Sequence, residues 1–440
     1  MQHESLWQPA SMAGAVAGRR QVLALLCSGI MIVAADKAIF AFAGVRIMQE
    51  LALTPAQFGQ LGSAFFLLYS LSGVAVGFLA NRIPARLVLL ALASVWALCQ
   101  LGVAFSSSLL ALLLFRVLLG AGAGPSTAVI QHACFKWFAP RQRTLPAAII
   151  NAGLMGGILL SAVTLPWLIQ HVGWRQAYLL LAGISLLWAL LWALFGREGT
   201  ELASEPEPDA ANLPASAHNR YRHLIGNRSF LLTTLLCFCG YLVSGLGFSW
   251  HPAYLEKGLG LSPLQAGFTV MVVMGLVIPT VLGVSALSQR WVRRGRSSRL
   301  AMVGLPVACC VVGGSALCLL GLHSLPLAAK LLLSGLGFIL LNVQQNFGLV
   351  ICGEICPPSQ RAAVLATHVA LTTSAGLLAP MLAGQMVQAA GNVIGIGYEN
   401  CLQLVGALVL LASLAALLAV DPERSRQQLA ALRRQAPAAG

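Results

Sequence analysis

Three charged side chains lie inside long apolar stretches of the chain. Asp36 and Lys37 are adjacent in VAADKAIFAFAG, residues 33–44, and Arg116 directly follows LLALLLF. A charge at the centre of a lipid bilayer costs roughly 3 kcal/mol, so such side chains pair with one another, face water, or do both. An acid in this setting can carry a proton and a base can hold an anion, and these are the chemistries that the three residues predict.

The partner of Asp36 is predicted from depth in the membrane. Adjacent residues on a helix point in different directions, so Asp36 and Lys37 cannot readily satisfy each other. Counted along the helices, Asp36 lies roughly 15 Å and Arg116 roughly 10 Å from the outer face. We therefore expect an Asp36–Arg116 ion pair, and a functional pair is favoured. A salt bridge that only locks two helices is the alternative.

Lys37 is left without a partner by this pairing. An unpaired ammonium beside a cavity attracts anions, which predicts that Lys37 binds the carboxylate of a substrate. Because Lys is a point charge without the two-pronged guanidinium of Arg, such a site would be less selective for planar carboxylates. The alternative is that Lys37 only extends its ammonium to the outer interface of the membrane.

The composition is that of an integral membrane protein. Of the 440 residues, 58% are hydrophobic and only 9% are charged, whereas soluble domains average about 25% charged residues. The net charge of +14 is spread over loops, so nucleic acid is not an expected partner. The eleven Cys lie mostly in apolar stretches as small buried hydrophobes, and neither a metal site nor a cofactor is predicted.

Apolar runs of about 20 residues, each long enough to cross a bilayer, recur along the chain. They predict an all-α membrane protein with twelve spans, near residues 21–43, 56–80, 86–105, 109–134, 144–169, 175–195, 230–250, 264–288, 299–321, 326–352, 361–388 and 400–420. The predicted domains are an N-terminal six-helix bundle (1–196), a cytoplasmic linker (197–229) and a C-terminal six-helix bundle with a short tail (230–440). The first span is too long and too charged for a cleaved signal peptide.

The basic residues predict the orientation and an internal repeat. Most of the 27 Lys and Arg fall on the side of the N-terminus, so both termini are expected in the cytoplasm. Basic loops follow span two (GFLANRIPAR) and span eight (GVSALSQRWVRRGR), which indicates two related halves around a midplane site, as in many transporters. Their Arg82, Arg86, Arg290 and Arg293 are predicted to brace the cytoplasmic gate when the outer side is open.

Several stretches of the sequence are specific enough to indicate a family. They are Asp36-Lys37, SAFFLLYS, RVLLGAGAGPS, WFAP, NAGLMG, GWRQAYLLLAGISLLWALLW and HPAYLEKGLGLSPLQAG. With the twelve spans, they resemble the Major Facilitator Superfamily over nearly the whole chain. The closest likeness is to its anion:cation symporter branch, which includes carriers of sugar acids. The resemblance implies two pseudo-symmetric six-helix bundles, with Lys37 at the substrate carboxylate and Tyr69 as a further binding residue.

The chain departs from that branch at several positions. Lys37 stands where the branch has Arg, and Ala123 stands where it has a Glu in span four. The acid of the loop motif is replaced by Asn81 and Gln289, and a polar residue of span five is replaced by Leu154. Without an acid at position 123, Asp36 is the single predicted proton carrier, which implies one proton per substrate.

Further polar residues are predicted to line a cavity. The candidates on spans five, ten and eleven are Asn151, Asn342, Gln345, Asn346, His368 and Thr372. The three on span ten share one helix face, from which their neighbour Gln344 points away, and the two on span eleven also share a face. Each of them could instead form a hydrogen bond between helices.

No motif of a nucleotide site or of an enzyme is present in the sequence. The patterns G-x-x-x-x-G-K-[ST], G-x-S-x-G and H-E-x-x-H are all absent. The sequence therefore predicts a secondary transporter and not an enzyme. We expect a monomer, in the lipid bilayer of a bacterial inner membrane, that takes up a small organic anion with protons. Export of an amphipathic compound by proton antiport and a non-transporting membrane sensor are the alternatives.

Overall fold

The computed structural model describes residues 9–79, 82–138, 142–199, 221–357 and 360–435, and all their regular elements are helices. Eleven helical segments in these ranges are long and apolar enough to cross a membrane. A further helix of 25 residues, Pro55–Leu79, completes the twelve predicted spans. The predicted all-α membrane fold is therefore confirmed.

The N-terminal half contains the first six spans. Its helices are α1 (Pro9–Glu50), α2 (Pro55–Leu79), α3 (Ala85–Phe105), α4 (Leu109–Ala123), α5 (Ser126–Phe135), α6 (Thr144–Val172) and α7 (Trp174–Phe195). The fourth span is divided into α4 and α5 at Gly124 and Pro125, because proline cannot donate a helical hydrogen bond. The first span is longer than predicted, since hydropathy marks only the part of α1 inside the membrane whereas backbone hydrogen bonds define the whole helix.

The C-terminal half contains the other six spans. Its helices are α8 (Tyr221–Ile225), α9 (Arg228–Gly247), α10 (His251–Ala253), α11 (Pro263–Arg293), α12 (Leu305–Leu319), α13 (Leu327–Ile355), α14 (Arg361–Thr373), α15 (Ala375–Ala389), α16 (Ile394–Ala419) and α17 (Pro422–Gln435). Two π-helical turns, Tyr254–Gly258 and Leu300–Gly304, extend the seventh span and begin the ninth. Most of the predicted linker, residues 200–220, and Asn81 of the first basic loop lie outside the described residues.

Glycines allow two of the helix contacts to be very close. A Cβ on Gly120 of α4 would lie 1.8 Å from the carbonyl oxygen of Phe65 on α2. A Cβ on Gly384 of α15 would lie 2.4 Å from the carbonyl oxygen of Pro55, also on α2. Because lipid gives helices no hydrophobic reason to associate, membrane helices are held by such backbone approach and by hydrogen bonds. α2 is thereby fixed against its own half and against the other half at once.

The two halves meet at one end of the molecule. This is the end that the basic residues predict to be outer, and it is called the outer side below. Arg46 at the end of α1 forms an ion pair of 2.8 Å with Glu256 of the seventh span. Nearer the middle, the hydroxyls of Ser70 and Thr373 lie 2.7 Å apart. The ion pair therefore holds the two halves together on the outer side.

Candidate functional site

Asp36 is fully buried in the core of the N-terminal half. Its Oδ1 accepts a hydrogen bond from Nε2 of Gln100 on α3. Gln100 is itself 0% exposed, and its Oε1 accepts a long hydrogen bond of 3.5 Å from the Ser185 hydroxyl on α7. The Asp36 carboxylate of α1 therefore accepts a hydrogen bond from a neutral amide, and the Ser185 hydroxyl of α7 orients that amide.

The predicted Asp36–Arg116 ion pair is not present in the structure. Nε of Arg116 donates to the carbonyl oxygen of Leu61 at 3.2 Å. Its guanidinium lies 3.9 Å from the centre of the Phe40 ring and 4.9 Å from that of Phe65. The prediction was wrong because depth alone does not fix the direction of a side chain, and the faces of two aromatic rings attract a cation as well. The charge of Arg116 still acts on Asp36 from a distance.

Three polar atoms of this region are buried without a hydrogen-bond partner among the described residues. They are Oδ2 of Asp36, Nη1 of Arg116 and the hydroxyl oxygen of Tyr178 on α7. The charges of Asp36 and Arg116 both act on the Tyr178 hydroxyl. Buried polar groups are nearly always satisfied, and leaving one unsatisfied costs roughly 1–3 kcal/mol. We call the following residues the buried polar cluster: Asp36, Gln100, Arg116, Tyr178 and Ser185. Its three unsatisfied atoms leave it able to bind a proton at Asp36 or to exchange hydrogen-bond partners.

Lys37 points away from this cluster and contacts Tyr69 on α2. Its Nζ donates to the Tyr69 hydroxyl at 2.9 Å and lies 4.8 Å from the ring centre. In the described part of the chain no acid lies within ion-pair distance of Lys37. Two residues that the sequence singled out separately are thus joined, and the ammonium has a neutral hydrogen-bond partner, while the Asp36 carboxylate acts on it only from a distance.

An aromatic group places Lys37 and Tyr69 near the boundary between the halves. Phe66 contacts the Tyr69 ring at 5.9 Å between centres, and it meets the Tyr241 ring of α9 edge-on at 6.4 Å. Tyr241 packs against both large hydrophobic clusters, one formed by buried residues of the N-terminal half and the other containing residues of both halves. The sequence reasoning missed Tyr241, although a tyrosine inside the apolar seventh span is a detectable signal.

The three candidate amides of the tenth span bond to three different helices, one of which is their own. Asn342 donates to the carbonyl oxygen of Phe338 in its own helix at 2.7 Å. Gln345 donates to the Cys237 carbonyl of α9 at 2.8 Å, and the exposed Asn346 donates to the Ser285 hydroxyl of α11 at 3.3 Å. Gln344, which the sequence predicted to point away from these amides, is buried and contacts the same Cys237 through its thiol.

Two of the three remaining polar candidates form hydrogen bonds within their own halves. His368 is 2% exposed and lies 2.9 Å from the Thr234 hydroxyl. Thr372 is also buried, and its hydroxyl has no hydrogen-bond partner among the described residues. Asn151 is exposed and accepts a hydrogen bond of 3.3 Å from Gln131. None of the hydrogen bonds in the described ranges joins these residues to Lys37 or Tyr69. The structure therefore does not bring them together with that pair.

The four arginines of the predicted cytoplasmic gate are exposed. The guanidinium of Arg86 donates to the carbonyl oxygen of Ala193 on α7, in its own half, at 2.5 Å. No ion pair in the described residues connects Arg82, Arg290 or Arg293 to the opposite half. In this conformation, in which the outer side is closed, none of the four bridges the halves.

A buried acid at the outer end of the C-terminal half was not recognised in the sequence. Glu399 is 1% exposed, and its Oε1 lies 2.7 Å from Nζ of Lys330 and 3.0 Å from the Tyr254 hydroxyl. Its Oε2 lies 2.8 Å from Nδ1 of His323. The predicted twelfth span began one residue after Glu399, so hydropathy placed this acid in a loop. Within the described ranges, no group of three or more His, Cys, Asp or Glu could hold a metal ion.

Comparison with known proteins gives matches over most of the chain. A "Probable sulfoacetate transporter" of Cupriavidus necator is 28% identical over 295 residues, which is 64% of this chain and 68% of that protein. A hexuronate transporter of Bacillus subtilis is 24% identical and covers 88% of this chain and 91% of its own length. The crystal structure of a bacterial homologue of the human lysosomal transporter Spinster, in an inward-facing and unoccupied conformation, superposes with a TM-score of 0.76. It shares 18% sequence identity and covers 94% of this chain and 98% of that one.

The sequence profile of the Major Facilitator Superfamily matches residues 25–347, well over half of the chain. The relatives are transporters of small anions and not enzymes. On this match, and with the helical fold already described, the protein belongs to the Major Facilitator Superfamily.

Proposed function

We propose that the protein takes up a small organic anion together with a proton, by alternating access in a bacterial inner membrane. The single observation that carries this proposal is the Lys37 ammonium, which lies near the boundary between the halves with a neutral tyrosine as its partner. The functions of the relatives support the class of substrate, since sulfoacetate and hexuronate are both small carboxylates. Both termini are proposed to be cytoplasmic and the working unit to be a monomer.

In the proposed orientation, the structure corresponds to an inward-facing conformation. The ion pair of Arg46 with Glu256 closes the outer side, and the contact of Ser70 with Thr373 joins the halves nearer the middle. Alternating access then requires these contacts to break as the cytoplasmic side closes. The exposed arginines at positions 82, 86, 290 and 293 are proposed to brace that side when the outer side is open.

The substrate carboxylate is proposed to bind the Lys37 ammonium and the Tyr69 hydroxyl. Ammonium and hydroxyl both donate hydrogen bonds to a carboxylate, and the charged bond is the stronger of the two. From the other half, Asn342, Gln345 and Asn346 would supply amide groups to the polar part of the substrate. His368, Thr372 and Asn151 stay candidates for residues that act at another stage of the cycle.

The net charge around Asp36 links binding of the proton to binding of the anion. Asp36 carries −1 while Lys37 and Arg116 each carry +1, so the region has a net charge of +1 when Asp36 is ionised. Protonation of Asp36 raises this to +2, which strengthens binding of an anion. By linkage, a bound anion then raises the affinity for the proton to the same extent. Asp36 and Arg116 are thus proposed to couple the proton to the substrate.

The experiment has two steps and uses the purified protein. A thermal-shift screen against monocarboxylates, sugar acids and aromatic acids identifies a ligand, because bound ligand stabilises the folded state by mass action. Proteoliposomes with a trapped pH dye then report whether an acid-outside gradient drives accumulation of that ligand, and whether the ligand carries protons inwards. Ligand movement without proton movement would contradict symport and indicate a facilitator. Movement of the ligand out of the vesicles against its gradient, driven by inward proton flow, would indicate the exporter.

A further inference from the structure

We propose that Gln100 is the positioning residue of the proton site. It holds Oδ1 of Asp36 and thereby leaves Oδ2 as the oxygen that receives the proton. This inference rests on the proposed function, in which Asp36 carries the proton. It assigns a role to a residue of the third span that sequence reasoning did not single out.

The geometry around Asp36 supports this assignment. Asp36 and Gln100 are both 0% exposed, so water does not compete for the bond between them. In the described part of the chain, Gln100 is the hydrogen-bond partner of Oδ1, whereas Oδ2 has none. The amide is itself oriented, since its Oε1 accepts from the Ser185 hydroxyl and its Nε2 is thereby directed at Asp36.

A neutral amide suits an acid that must gain and lose a proton. An N–H donor bonds to a carboxylate oxygen and, more weakly, to the carbonyl oxygen of the protonated acid, so the contact survives both states. A direct ion pair with a guanidinium would favour the ionised form strongly and resist protonation. The placement of Arg116 on the Phe40 and Phe65 rings, with Gln100 in the place where an ion pair was expected, therefore keeps Asp36 able to take a proton.

Four other groups interact electrostatically with Asp36, and a substitution at position 100 leaves all four in place. They are the Lys37 ammonium of α1, the Cys99 thiol of α3, the Arg116 guanidinium of α4 and the Tyr178 hydroxyl of α7. A variant that removes only the amide hence isolates its contribution. Gln100→Met serves this purpose, because methionine has nearly the same length and shape and no hydrogen-bond donor.

The test follows the infrared C=O stretching band of protonated Asp36 in the purified protein as the pH is changed, and Asp36→Asn identifies the band. In Gln100→Met the carboxylate loses its hydrogen bond, so the midpoint of the titration should rise by about one pH unit. This is the tenfold change in proton affinity implied by loss of one hydrogen bond to a charged group. The band itself should move to the higher frequency of a free carbonyl. The pH profile of ligand accumulation should shift in the same direction.

Gln344→Met is the matched control, because Gln344 is a similarly buried glutamine in the other half. It should leave the band and its midpoint unchanged. An unaltered band and midpoint in folded Gln100→Met would overturn the inference, as would the lack of any titrating band that Asp36→Asn removes. Neither result depends on transport. The proposed coupling is judged separately, by whether Asp36→Asn still accumulates ligand.

A second variant covers the case in which Gln100→Met does not fold. Gln100→Glu keeps a hydrogen-bonding group, and two neighbouring carboxyls share one proton and release it only at higher pH. We expect its shared band to persist at least one pH unit above that of the wild-type protein. A titration identical to wild type would show that position 100 does not contact the proton site and would overturn the proposal.

Discussion

The two halves of the molecule place their buried charges differently. In the N-terminal half, Asp36 and Arg116 lie within the membrane spans without a direct ion pair, and each has a buried polar atom without a partner in the described residues. In the C-terminal half, Glu399 lies at the outer end, and both of its oxygens are bound, by Lys330, Tyr254 and His323. A fully satisfied acid stabilises a structure, whereas a partly satisfied one is free to change its proton or its partner.

Contacts on the outer side connect the buried Glu399 to the N-terminal half. Tyr254, which donates a hydrogen bond to Glu399, begins the π-helical turn that carries Glu256. Glu256 in turn pairs with Arg46 of the N-terminal half. Glu399 and its partners therefore support the turn that closes the outer side, while the buried polar cluster is the proposed proton site. The following predictions test that division, from the largest expected effect to the smallest.

Asp36→Asn should abolish accumulation driven by a pH gradient and preserve ligand exchange. Asparagine resembles the protonated acid in shape and charge but cannot release a proton. The measurement compares gradient-driven uptake with counterflow of labelled ligand in proteoliposomes. A variant that still concentrates its ligand with the gradient would make Asp36 a structural residue.

Glu399→Gln should destabilise the protein without a direct effect on the bound ligand. Removing the acid leaves Lys330 without its counter-charge, and breaking a buried pair costs roughly 3 kcal/mol. The expected result is a lower melting temperature with unchanged ligand affinity in the folded fraction. Glu423→Gln, at an exposed acid of α17, is the control and should change little. Equal stability of both variants would contradict the scaffolding role.

Lys37→Gln should weaken ligand binding by about 2 kcal/mol, a roughly 30-fold rise in Kd, because a charged hydrogen bond to the carboxylate is lost. Tyr69→Phe removes only the neutral donor and should cost less, roughly 1 kcal/mol. Both are measured by titration of the ligand found in the thermal-shift screen. An affinity in Lys37→Gln equal to that of the wild type would rule out the carboxylate site.

Glu256→Gln should loosen the outer closure by about 1 kcal/mol, a roughly fivefold shift toward the outward-open population, since a partly exposed ion pair is worth little more. The distance between the two halves is measured with spin labels at Ser107→Cys and Ser324→Cys, which lie on exposed outer loops. The labelled protein must lack its native thiols. Glu50→Gln is the control, because Glu50 pairs with Arg175 inside one half at the same 2.8 Å. No change in the distance distribution with Glu256→Gln would remove this ion pair from the gate.

The smallest effect is expected at Glu198, which connects the ends of α3 and α5 on the side opposite the outer side. Burial by itself would raise its pKa, but the Lys136 ammonium and the backbone N–H groups of Arg86 and Ala85 outweigh burial, so the pKa is lowered. A lowered pKa adds stability above the unfolded value of about 4.3, and this stability is lost as the pH falls through the folded value. Glu198→Gln should therefore be less stable than wild type near neutral pH by less than about 1 kcal/mol. The difference should shrink below about pH 4, and a difference that stays constant with pH would contradict the assignment.

The sequence identified some residues of the candidate site and missed others. Asp36, Lys37 and Tyr69 were all singled out, and the structure joins two of them. Gln100 was missed because a single amide in an apolar span does not stand out from composition. Glu399 was missed because hydropathy ends a span at the first charge, whereas neighbouring loops and helices here bury that charge completely.

The sequence by itself determined the helical spans, their number and the presence of charges inside the membrane. These follow from the transfer free energy of each stretch of chain into lipid, which is a local property. Only the tertiary structure decided that Gln100 and not Arg116 binds Asp36, and that Tyr69 binds Lys37. The rotation and tilt of each helix set these partners, and they come from the packing of many side chains and glycines at once, which no local stretch of sequence contains.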